Sequence, residues 1–338
     1  MDKMNKKIMM WILGVIFLIV LAIWTGLDGM REVFKVVELD RLLLFLISLS
    51  LLQVLTLSLT TYQWYYLINK FEKLSFMNVF LISLTGNFVE SVTPSSKLGG
   101  ESVKIYLFKQ KTDFSYQKLT TFLLAHKYVL LSPFLIICLI SLVVASLRYN
   151  VPQAVYVSFT ILTVSVGTLI AVIYLGRDDN SKAKSRYFVI RKLLEGIDFI
   201  KKSAAEVNTV LSKTDRNKLF MISFLIWGLY PVKIYLTAMV LGLSLSLPLA
   251  IIVTYTAYLV SMLPITPGGL GTFEGSMTVI LSLNGFLLAE GMAIALLARS
   301  ITYWFPLFIS AGAAIYLIKN RDIKMPSNIF SRLRSLTT

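Results

Sequence analysis

The residues best placed for chemistry are two glutamates that follow two similar Pro/Gly-rich stretches. Glu101 lies seven residues after Pro94 in TPSSKLGGE, and Glu274 lies seven residues after Pro267 in TPGGLGTFE. Both stretches are embedded in apolar sequence, where a carboxylate is costly and proline interrupts a helix. Irregular backbone at membrane depth normally lines a cavity within protein, and its free N–H groups favour anions. The duplicated break therefore predicts a transporter-like protein with internal repeats.

A basic residue follows each glutamate at nearly the same distance along the chain. The interval from Glu274 to Arg299 equals that from Glu101 to His126, and Lys127 comes one position later. Because a lone charge in hydrocarbon is costly, we expect Glu101 to pair with Lys127 and Glu274 with Arg299. The pairs would face one polar cavity, where the bases could also bind a lipid phosphate. The alternative is that they are static ion pairs that lock the structure.

The full predicted site contains these pairs and the residues around the two breaks. The predicted substrate-binding residues are Glu101, Lys127, Glu274, Arg299, Lys97 and Tyr303. The predicted tips of the two breaks are Thr93, Pro94, Gly99, Gly100, Thr266, Pro267, Gly268, Gly269 and Gly271. Thr93, Thr266, Ser95 and Ser96 are expected to cap the helical arm that follows each break.

Other polar and aromatic residues at membrane depth are given structural roles. His126 is expected to hydrogen-bond between helices. Glu90 and Lys233 are expected near the membrane interface, where their side chains would extend to water. An interfacial belt or internal packing is expected for Tyr62, Trp64, Tyr65, Tyr66, Tyr303 and Trp304, of which the last two are the best candidates to face the cavity.

The composition is that of a helical protein that crosses the membrane several times. The 338 residues are 56% hydrophobic and 15% charged, with a mean hydropathy of +0.74. One cysteine and one histidine exclude a disulfide framework and a His/Cys metal cluster, so no metal or other cofactor is expected. The formal charge of +15 is best explained by cytoplasmic Lys and Arg that attract anionic headgroups, and not by nucleic-acid binding.

Six apolar stretches are each long enough to cross a bilayer once. They are residues 8–26, 42–68, 119–147, 152–175, 219–242 and 287–318. The first is interpreted as a retained helix, and the last is long enough to be tilted or broken near Ser300. Two further stretches, 76–110 and 248–285, contain the Pro/Gly breaks. Because neither arm of these stretches can span a bilayer alone, we predict re-entrant helical hairpins whose tips meet in mid-membrane.

The protein is expected in the cytoplasmic membrane. The distribution of Lys and Arg predicts that both termini lie in the cytoplasm, and with this topology the two halves form an inverted repeat. Residues 1–150 form the first repeat with hairpin 76–110. Residues 151–320 form the second repeat with hairpin 248–285, and residues 321–338 form a basic tail. A basic segment, 176–218, separates the halves. This segment is either an amphipathic helix on the inner membrane surface or a solvated linker helix.

An enzymatic function receives little support from the residues. The sequence has no GxSxG, HExxH, Walker or GxGxxG motif, and its largest cytoplasmic segment is short for a donor-binding domain. Two alternatives to transport remain open. The chain could be an accessory subunit that presents lipid to a separate transferase, or a transferase with its active site at the hairpin tips. A homo-oligomeric state is also left open.

The two breaks resemble a known family. TPGGLGTFEG, TPSSKLGGESVKIYL and the arginine of ALLARSITYWFP are similar to the transmembrane domain of lysylphosphatidylglycerol synthases, the flippase-like half of the multiple peptide resistance factor. The resemblance implies translocation of aminoacylated phosphatidylglycerol or another lipid with a modified headgroup. Stand-alone relatives in envelope glycan pathways make a polyprenyl-phosphate-linked sugar the alternative substrate. The sequence ends at Thr338 without the transferase domain of the fused proteins, so lysyl transfer is not expected.

Overall fold

The computed structural model describes residues 27–35, 37–93, 98–153, 205–262 and 266–320, with residue 19 and short pieces between 155 and 203. This described part is all-helical and contains no strand. In chain order the helices are α1 (Leu27–Lys35), α2 (Leu39–Asn69), α3 (Phe76–Val92), α4 (Leu98–Lys111), α5 (Tyr116–Arg148), α6 (Val207–Val210), α7 (Lys213–Val240), α8 (Leu247–Ser261), α9 (Thr272–Leu283), α10 (Leu288–Arg299) and α11 (Phe305–Lys319). A π-helical turn, Ser300–Trp304, joins α10 to α11.

Four of the six predicted spans are confirmed as helices long and apolar enough to cross a membrane. They are Asp40–Asn69 in α2, Tyr116–Arg148 in α5, Lys213–Val240 in α7 and Leu288–Lys319, which runs through α10, the π turn and α11. The predicted break near Ser300 coincides with that π turn. The predicted span 8–26, most of 152–175, most of the basic segment 176–218 and the tail 321–338 lie outside the described residues.

Each Pro/Gly break separates two short helices that form a hairpin. The first hairpin is α3 and α4, with 17 and 14 residues, and the second is α8 and α9, with 15 and 12 residues. None of the four arms reaches the roughly 20 residues needed to cross a bilayer. Pro94, Ser95, Ser96 and Lys97, at the first tip, lie outside the described residues. The depth and entry side of each hairpin stay predictions.

The helices of the two halves repeat one pattern of packing contacts. In each half the two hairpin arms pack together, α3 on α4 and α8 on α9. The second arm then packs on the helix that follows it, α4 on α5 and α9 on α10. The first arm packs on the last long helix of the other half, α3 on α11 and α8 on α5. This exchange of first arms joins the halves and brings both hairpins to the centre of the molecule.

The outer surface is apolar along the long helices. On α2, Leu44, Ile47 and Leu51 are exposed, with 68%, 58% and 67% of their surface free. Their spacing of three and four residues places them on one helical face. A soluble protein rarely leaves such a face uncovered, whereas a bilayer covers it. The arrangement is that of a multi-pass membrane protein whose polar residues face inward.

Candidate functional site

The second break forms a closed carboxylate–guanidinium site. Glu274 is fully buried in the first turn of α9, and Arg299 at the end of α10 is 5% exposed. Arg299 Nε donates to Glu274 Oε1 at 2.9 Å, and its Nη2 donates to the Gly268 carbonyl at 2.6 Å. The expected pairing of Glu274 with Arg299 is therefore present.

The backbone around Glu274 explains why glycine occupies the break. The Gly271 N–H donates to Glu274 Oε2 at 2.7 Å, so the carboxylate satisfies a free N–H at the start of α9. Gly268 has φ +60°, and a Cβ there would collide with the ring of Tyr303. Only glycine allows this turn to lie so close to the ring. Glu274 thus accepts from both the helix start and Arg299, which neutralises a charge that is removed from water.

Two aromatic rings enclose the guanidinium of Arg299. Its Cζ lies 4.8 Å from the centroid of the Phe273 ring and 4.4 Å from that of Tyr303. The π turn Ser300–Trp304 begins directly after Arg299 and contains Tyr303, which is 6% exposed. π-helical turns inside α-helices are frequent at functional sites. Here the turn places the arginine and the tyrosine on one side of the helix, facing the second tip.

The first half contains a matching but more basic cluster. Lys127 Nζ of α5 lies 2.6 Å from Glu101 Oε1, which is the second expected pair. Lys104, one turn after Glu101 on α4, lies 3.4 Å from the same oxygen. Lys104 and Glu101 are each 5% exposed at the side chain, whereas Lys127 retains 21%. Glu101 Oε2 is buried with no hydrogen-bond partner among the described residues.

The arms of the first hairpin approach closely enough to cover this cluster. A Cβ at Gly100 would collide with the Gly86 carbonyl oxygen and lie 2.7 Å from Glu90 Cβ. A Cβ at Gly86 would overlap the aliphatic stem of Lys104. Gly100 thus allows α3 and α4 to touch at their backbones, and Gly86 leaves the space that the Lys104 side chain occupies. Lys104 was not predicted, although its position three residues after Glu101 places both on one helical face.

A hydrogen bond from Tyr303 connects the second cluster to the first hairpin. The Tyr303 hydroxyl donates to the Ser91 carbonyl at 3.2 Å, near the end of α3. The 3₁₀ turn Pro267–Gly269 at the second tip also contacts α3. Tyr303 therefore touches Arg299, the turn at Gly268 and the end of the first hairpin's first arm. The sequence predicted its membership of the site but not this partner.

Lys233 is the clearest correction to the sequence-based expectations. It does not extend to water, because it is fully buried within α7. Its Nζ lies 2.5 Å from Gln53 Oε1 and 2.8 Å from Thr56 Oγ1, both on α2. The expectation was wrong because Gln53 and Thr56 are neutral and gave no signal in an apolar segment, yet they satisfy the amine within the protein. Glu90 is half-buried near the end of α3.

His126 and the two tip threonines make the following contacts. His126 lies against the Trp64 ring, with centroids 5.1 Å apart, and it interacts with the Thr60 backbone of α2, although no partner among the described residues meets strict hydrogen-bond geometry at either ring nitrogen. The Thr93 hydroxyl donates to the Val89 carbonyl at 2.7 Å, at the end of α3, and the residues that it was expected to cap before α4 lie outside the described part. The Thr266 hydroxyl has no partner among the described residues. The start of α9, which Thr266 was expected to cap, is instead capped by the Glu274 carboxylate.

The aromatic residues expected in a belt are divided between packing and the site. Trp64 is 1% exposed and stacks on Phe108 at 5.3 Å, so it belongs to the interior and not to the interface. Tyr66 donates to Asp215 Oδ1 at 2.6 Å, which ties α2 to the start of α7. Lys70 forms an ion pair with the same carboxylate. These bonds tie the end of α2 to the first turn of α7, the helix that begins within the basic segment 176–218.

The chemistry available to the site is that of charge recognition. Two carboxylates and three basic side chains lie in two clusters, each closed by a glycine-rich break. Among the described residues, no group of three His, Cys, Asp or Glu side chains could hold a metal ion. An anionic group could bind Lys127, and an ammonium or hydroxyl group could donate to Glu101 Oε2, which has no partner among the described residues.

Comparison with known proteins gives relatives that extend over most of this chain. A UPF0104 membrane protein of Pyrococcus horikoshii is 23% identical over 96% of this chain and 100% of its own length. Another UPF0104 membrane protein, from Methanothermobacter thermautotrophicus, is 26% identical over 80% of this chain and 83% of its own length. A third, from Methanocaldococcus jannaschii, is 24% identical over 95% of this chain and 97% of its own length.

The family described as lysylphosphatidylglycerol synthase TM region matches residues 11–310. The match includes both Pro/Gly breaks, both hairpins and both ion pairs described above. The chain therefore belongs to the family of lysylphosphatidylglycerol synthase transmembrane regions.

Proposed function

We propose that the protein translocates a phosphate-bearing lipid between the leaflets of the cytoplasmic membrane. The observation that carries the proposal is the presence, in each half, of a glutamate from a broken helix paired with a base from the following long helix. Buried ion pairs are expensive in a membrane and are typical of substrate pathways. The substrates considered are aminoacylated phosphatidylglycerol, another lipid with a modified headgroup and a polyprenyl-phosphate-linked lipid.

The two clusters would exchange their internal partners for a headgroup. A lipid phosphate would approach the part-exposed Lys127 and compete with Glu101 for its ammonium. The displaced carboxylate would then accept from a hydroxyl or amino group of the same headgroup. The charged side chains of the two clusters would compensate the headgroup for the water that it loses. The headgroup could therefore leave one membrane interface without a large desolvation cost. The acyl or prenyl chains would remain in the lipid along the apolar outer faces.

The halves would alternate in their access to the two leaflets. An inverted repeat allows the two hairpins to exchange conformations, so that the site opens on one side as it closes on the other. The contacts that would have to change are those of Tyr303, which touches the second tip and bonds the Ser91 carbonyl. Both termini would lie in the cytoplasm, with the basic segment 176–218 on anionic lipid at that side.

Lipid translocation by purified protein tests this proposal. Proteoliposomes would carry phosphatidylglycerol labelled on an acyl chain with a fluorophore that dithionite quenches only in the outer leaflet. Glu274→Gln and Arg299→Ala should slow translocation at least tenfold, because each removes one partner of the closed pair. If both variants translocate at the unmodified rate while remaining folded, the assignment of this site is wrong.

Glu290→Gln is the matched control for this experiment. Glu290 Oε2 accepts from the Leu287 N–H at 2.8 Å at the start of α10, as Glu274 Oε2 accepts at the start of α9. No basic partner of Glu290 lies within ion-pair distance among the described residues. Glu290→Gln should therefore reproduce the change in helix capping without any loss of translocation.

A further inference from the structure

The buried apolar side chains of the described part form two large cores, one around each hairpin. The first core joins the first hairpin to the nearby ends of the long helices, and its members include Leu67 of α2, Leu107 of α4, Phe122 of α5, Leu219 of α7 and Leu317 of α11. The second core joins the second hairpin to the opposite ends of the long helices, and its members include Leu142 of α5, Ile234 of α7, Val253 of α8, Ile280 of α9 and Ile294 of α10. Among the described residues, no buried side chain belongs to both cores.

Each of the four long helices passes from one core to the other, and each is irregular where it crosses. In α5 the crossing contains Pro133, and in α7 it contains Pro231. Between α10 and α11 the crossing is the π turn Ser300–Trp304. In α2 the hydroxyls of Thr56 and Thr60 donate to carbonyls four residues earlier, which often bends a helix. Helices kink at prolines and at π turns, so these features define one level at which the long helices can bend.

Trp227 of α7 connects three helices at this level. Pro231 has no N–H for the Trp227 carbonyl, which lies four residues earlier and accepts instead from the Tyr255 hydroxyl of α8 at 2.9 Å. The ring N–H of Trp227 donates to the Leu130 carbonyl of α5 at 2.8 Å, three residues before Pro133. Because the usual helical hydrogen bond is already absent at each proline, a change of helix direction there breaks no such bond.

The two ion pairs lie on opposite sides of this level. Glu101 and Lys127 are on α4 and on the part of α5 that packs in the first core. Glu274 and Arg299 are on α9 and α10, which pack in the second core. The bond from Tyr303 to the Ser91 carbonyl joins the π turn to α3, and therefore crosses from one side to the other. A bend at this level would change the relation between the two ion pairs without breaking either of them.

We propose that the two cores are rigid units and that the molecule changes its access by bending between them, at Pro133, Pro231 and the π turn. The inference rests on the proposed function and specifies how its site opens. Closely packed interiors deform little, so the movement is concentrated where the helices are irregular. The moving units are not the two halves of the sequence, because α11 of the second half packs in the first core and the end of α5 packs in the second.

Four exposed positions distinguish these two kinds of movement. Lys73 and Lys213 lie beside the first core but in different halves of the sequence, and Leu147 and Leu287 lie beside the second core, also in different halves. Lys73→Cys, Lys213→Cys, Leu147→Cys and Leu287→Cys would be combined in pairs in a Cys138→Ala background and spin-labelled. Pulsed electron paramagnetic resonance would measure the distances in phosphatidylcholine nanodiscs with and without phosphatidylglycerol.

The distances between cores should vary while those within a core stay constant. The pairs 73–147 and 213–287 each join the two cores within one half, and their distances should shift, or divide into two populations, by about 4 Å or more. The pairs 73–213 and 147–287 each join the two halves within one core, and their distances should not change. The reverse pattern would show that the halves of the sequence move as units and contradict the proposal, as would four constant distances.

Pro133→Ala combined with Pro231→Ala tests whether the bend limits translocation. The variant restores two backbone N–H groups at the level of the bend, so bending has to break hydrogen bonds. Translocation of labelled phosphatidylglycerol should slow about tenfold, the equivalent of two hydrogen bonds, while binding of this lipid to the purified protein is retained. Pro248→Ala is the control, because Pro248 lies in the first turn of α8, where its N–H would have no helical partner. Equal effects of the two changes, or an equal loss of binding and translocation, would contradict the proposal.

The two proposals can fail separately. If the distances between cores vary but no lipid moves in proteoliposomes, the translocation proposal is wrong and the bend stands. If lipid is translocated while all four distances stay constant, the bend is wrong and translocation stands. Should the variant without the two prolines fail to fold, the distances measured with both prolines in place still decide the question.

Discussion

Arg299 makes a set of contacts that a lysine could not reproduce. Its guanidinium bonds a carboxylate and a backbone carbonyl through different nitrogens and lies between two rings. A planar group with donors along its edge and π faces above and below can make all of these contacts at once. The contacts hold Glu274, the turn at Gly268 and Tyr303 in one arrangement. Arg299 therefore fixes the second tip as well as neutralising Glu274.

Removal of Arg299 alone should be more harmful than removal of the whole pair. Arg299→Met leaves Glu274 buried with the Gly271 N–H as its remaining bond, and we expect a loss of roughly 3–5 kcal/mol in unfolding free energy. Glu274→Gln combined with Arg299→Met leaves no buried charge at this site and should recover most of that loss. Thermal unfolding in a lipid-like detergent measures both. Equal destabilisation of the single and double variants would show that the pair is not desolvated as described.

At the scale of single residues, the charged members of the site could be predicted from the sequence, but their neutral hydrogen-bond partners could not. The matching intervals in the two halves were enough to pair Glu274 with Arg299, because charged residues in apolar sequence are rare and must be satisfied. Gln53 and Thr56 are common residues whose polarity is tolerated in a helix, so nothing marked them as partners of Lys233. Lys104 could have been found from its i+3 spacing to Glu101.

Glycines shape both hairpins, at different places in the described residues. In the first, α3 and α4 touch directly at Gly86 and Gly100. In the second, whose arms also pack together, the turn between the arms has positive φ at Gly268, Gly269 and Gly271. Arm lengths and breaks were predicted from apolar runs and from proline and glycine. The π turn after Arg299 was expected only as a break, since no sequence signal distinguishes a π turn from a kink.

A methyl group at Gly100 should force the first hairpin apart. The Cβ of Gly100→Ala would meet the Gly86 backbone oxygen and Glu90 Cβ, neither of which can move without shifting α3. We expect a loss of about 1–3 kcal/mol in stability and slower translocation. Gly312→Ala, in α11, has nothing within 4 Å of its Cβ and should be neutral or stabilising by up to about 1 kcal/mol. Similar unfolding temperatures for the two variants would contradict the close approach of α3 and α4.

The whole molecule shows a repeated pattern of contacts that the sequence predicted in part. The division into two halves with a hairpin each followed from the duplicated breaks. The bond between Tyr303 and Ser91 joins residues 212 positions apart and could not be foreseen, because its acceptor is a backbone carbonyl. The opposite orientation of the halves in the membrane is a prediction from charge distribution, and it belongs to this scale because no single element can test it.

Cysteine labelling tests the opposite orientation. Lys73 and Ser244 are exposed in the connections that precede the first and second hairpins. In a Cys138→Ala background, which removes the single native thiol, Lys73→Cys should react with a membrane-impermeant maleimide only from the cytoplasmic side. Ser244→Cys should react only from the outside. Reaction of both from the same side would rule out an inverted repeat and with it the alternating-access scheme.

The exchange of first arms also governs how the chain can be made. When α3 emerges from the ribosome, the helix on which it packs, α11, has not been synthesised, because it lies in the second half of the sequence. During that interval α3 lacks its packing partner, and its Ser91 carbonyl lacks the bond from Tyr303. A protein built this way completes both halves together, once α11 has been made. Truncation before α11 should therefore leave the first half exposed to membrane proteases, even though its own sequence is intact.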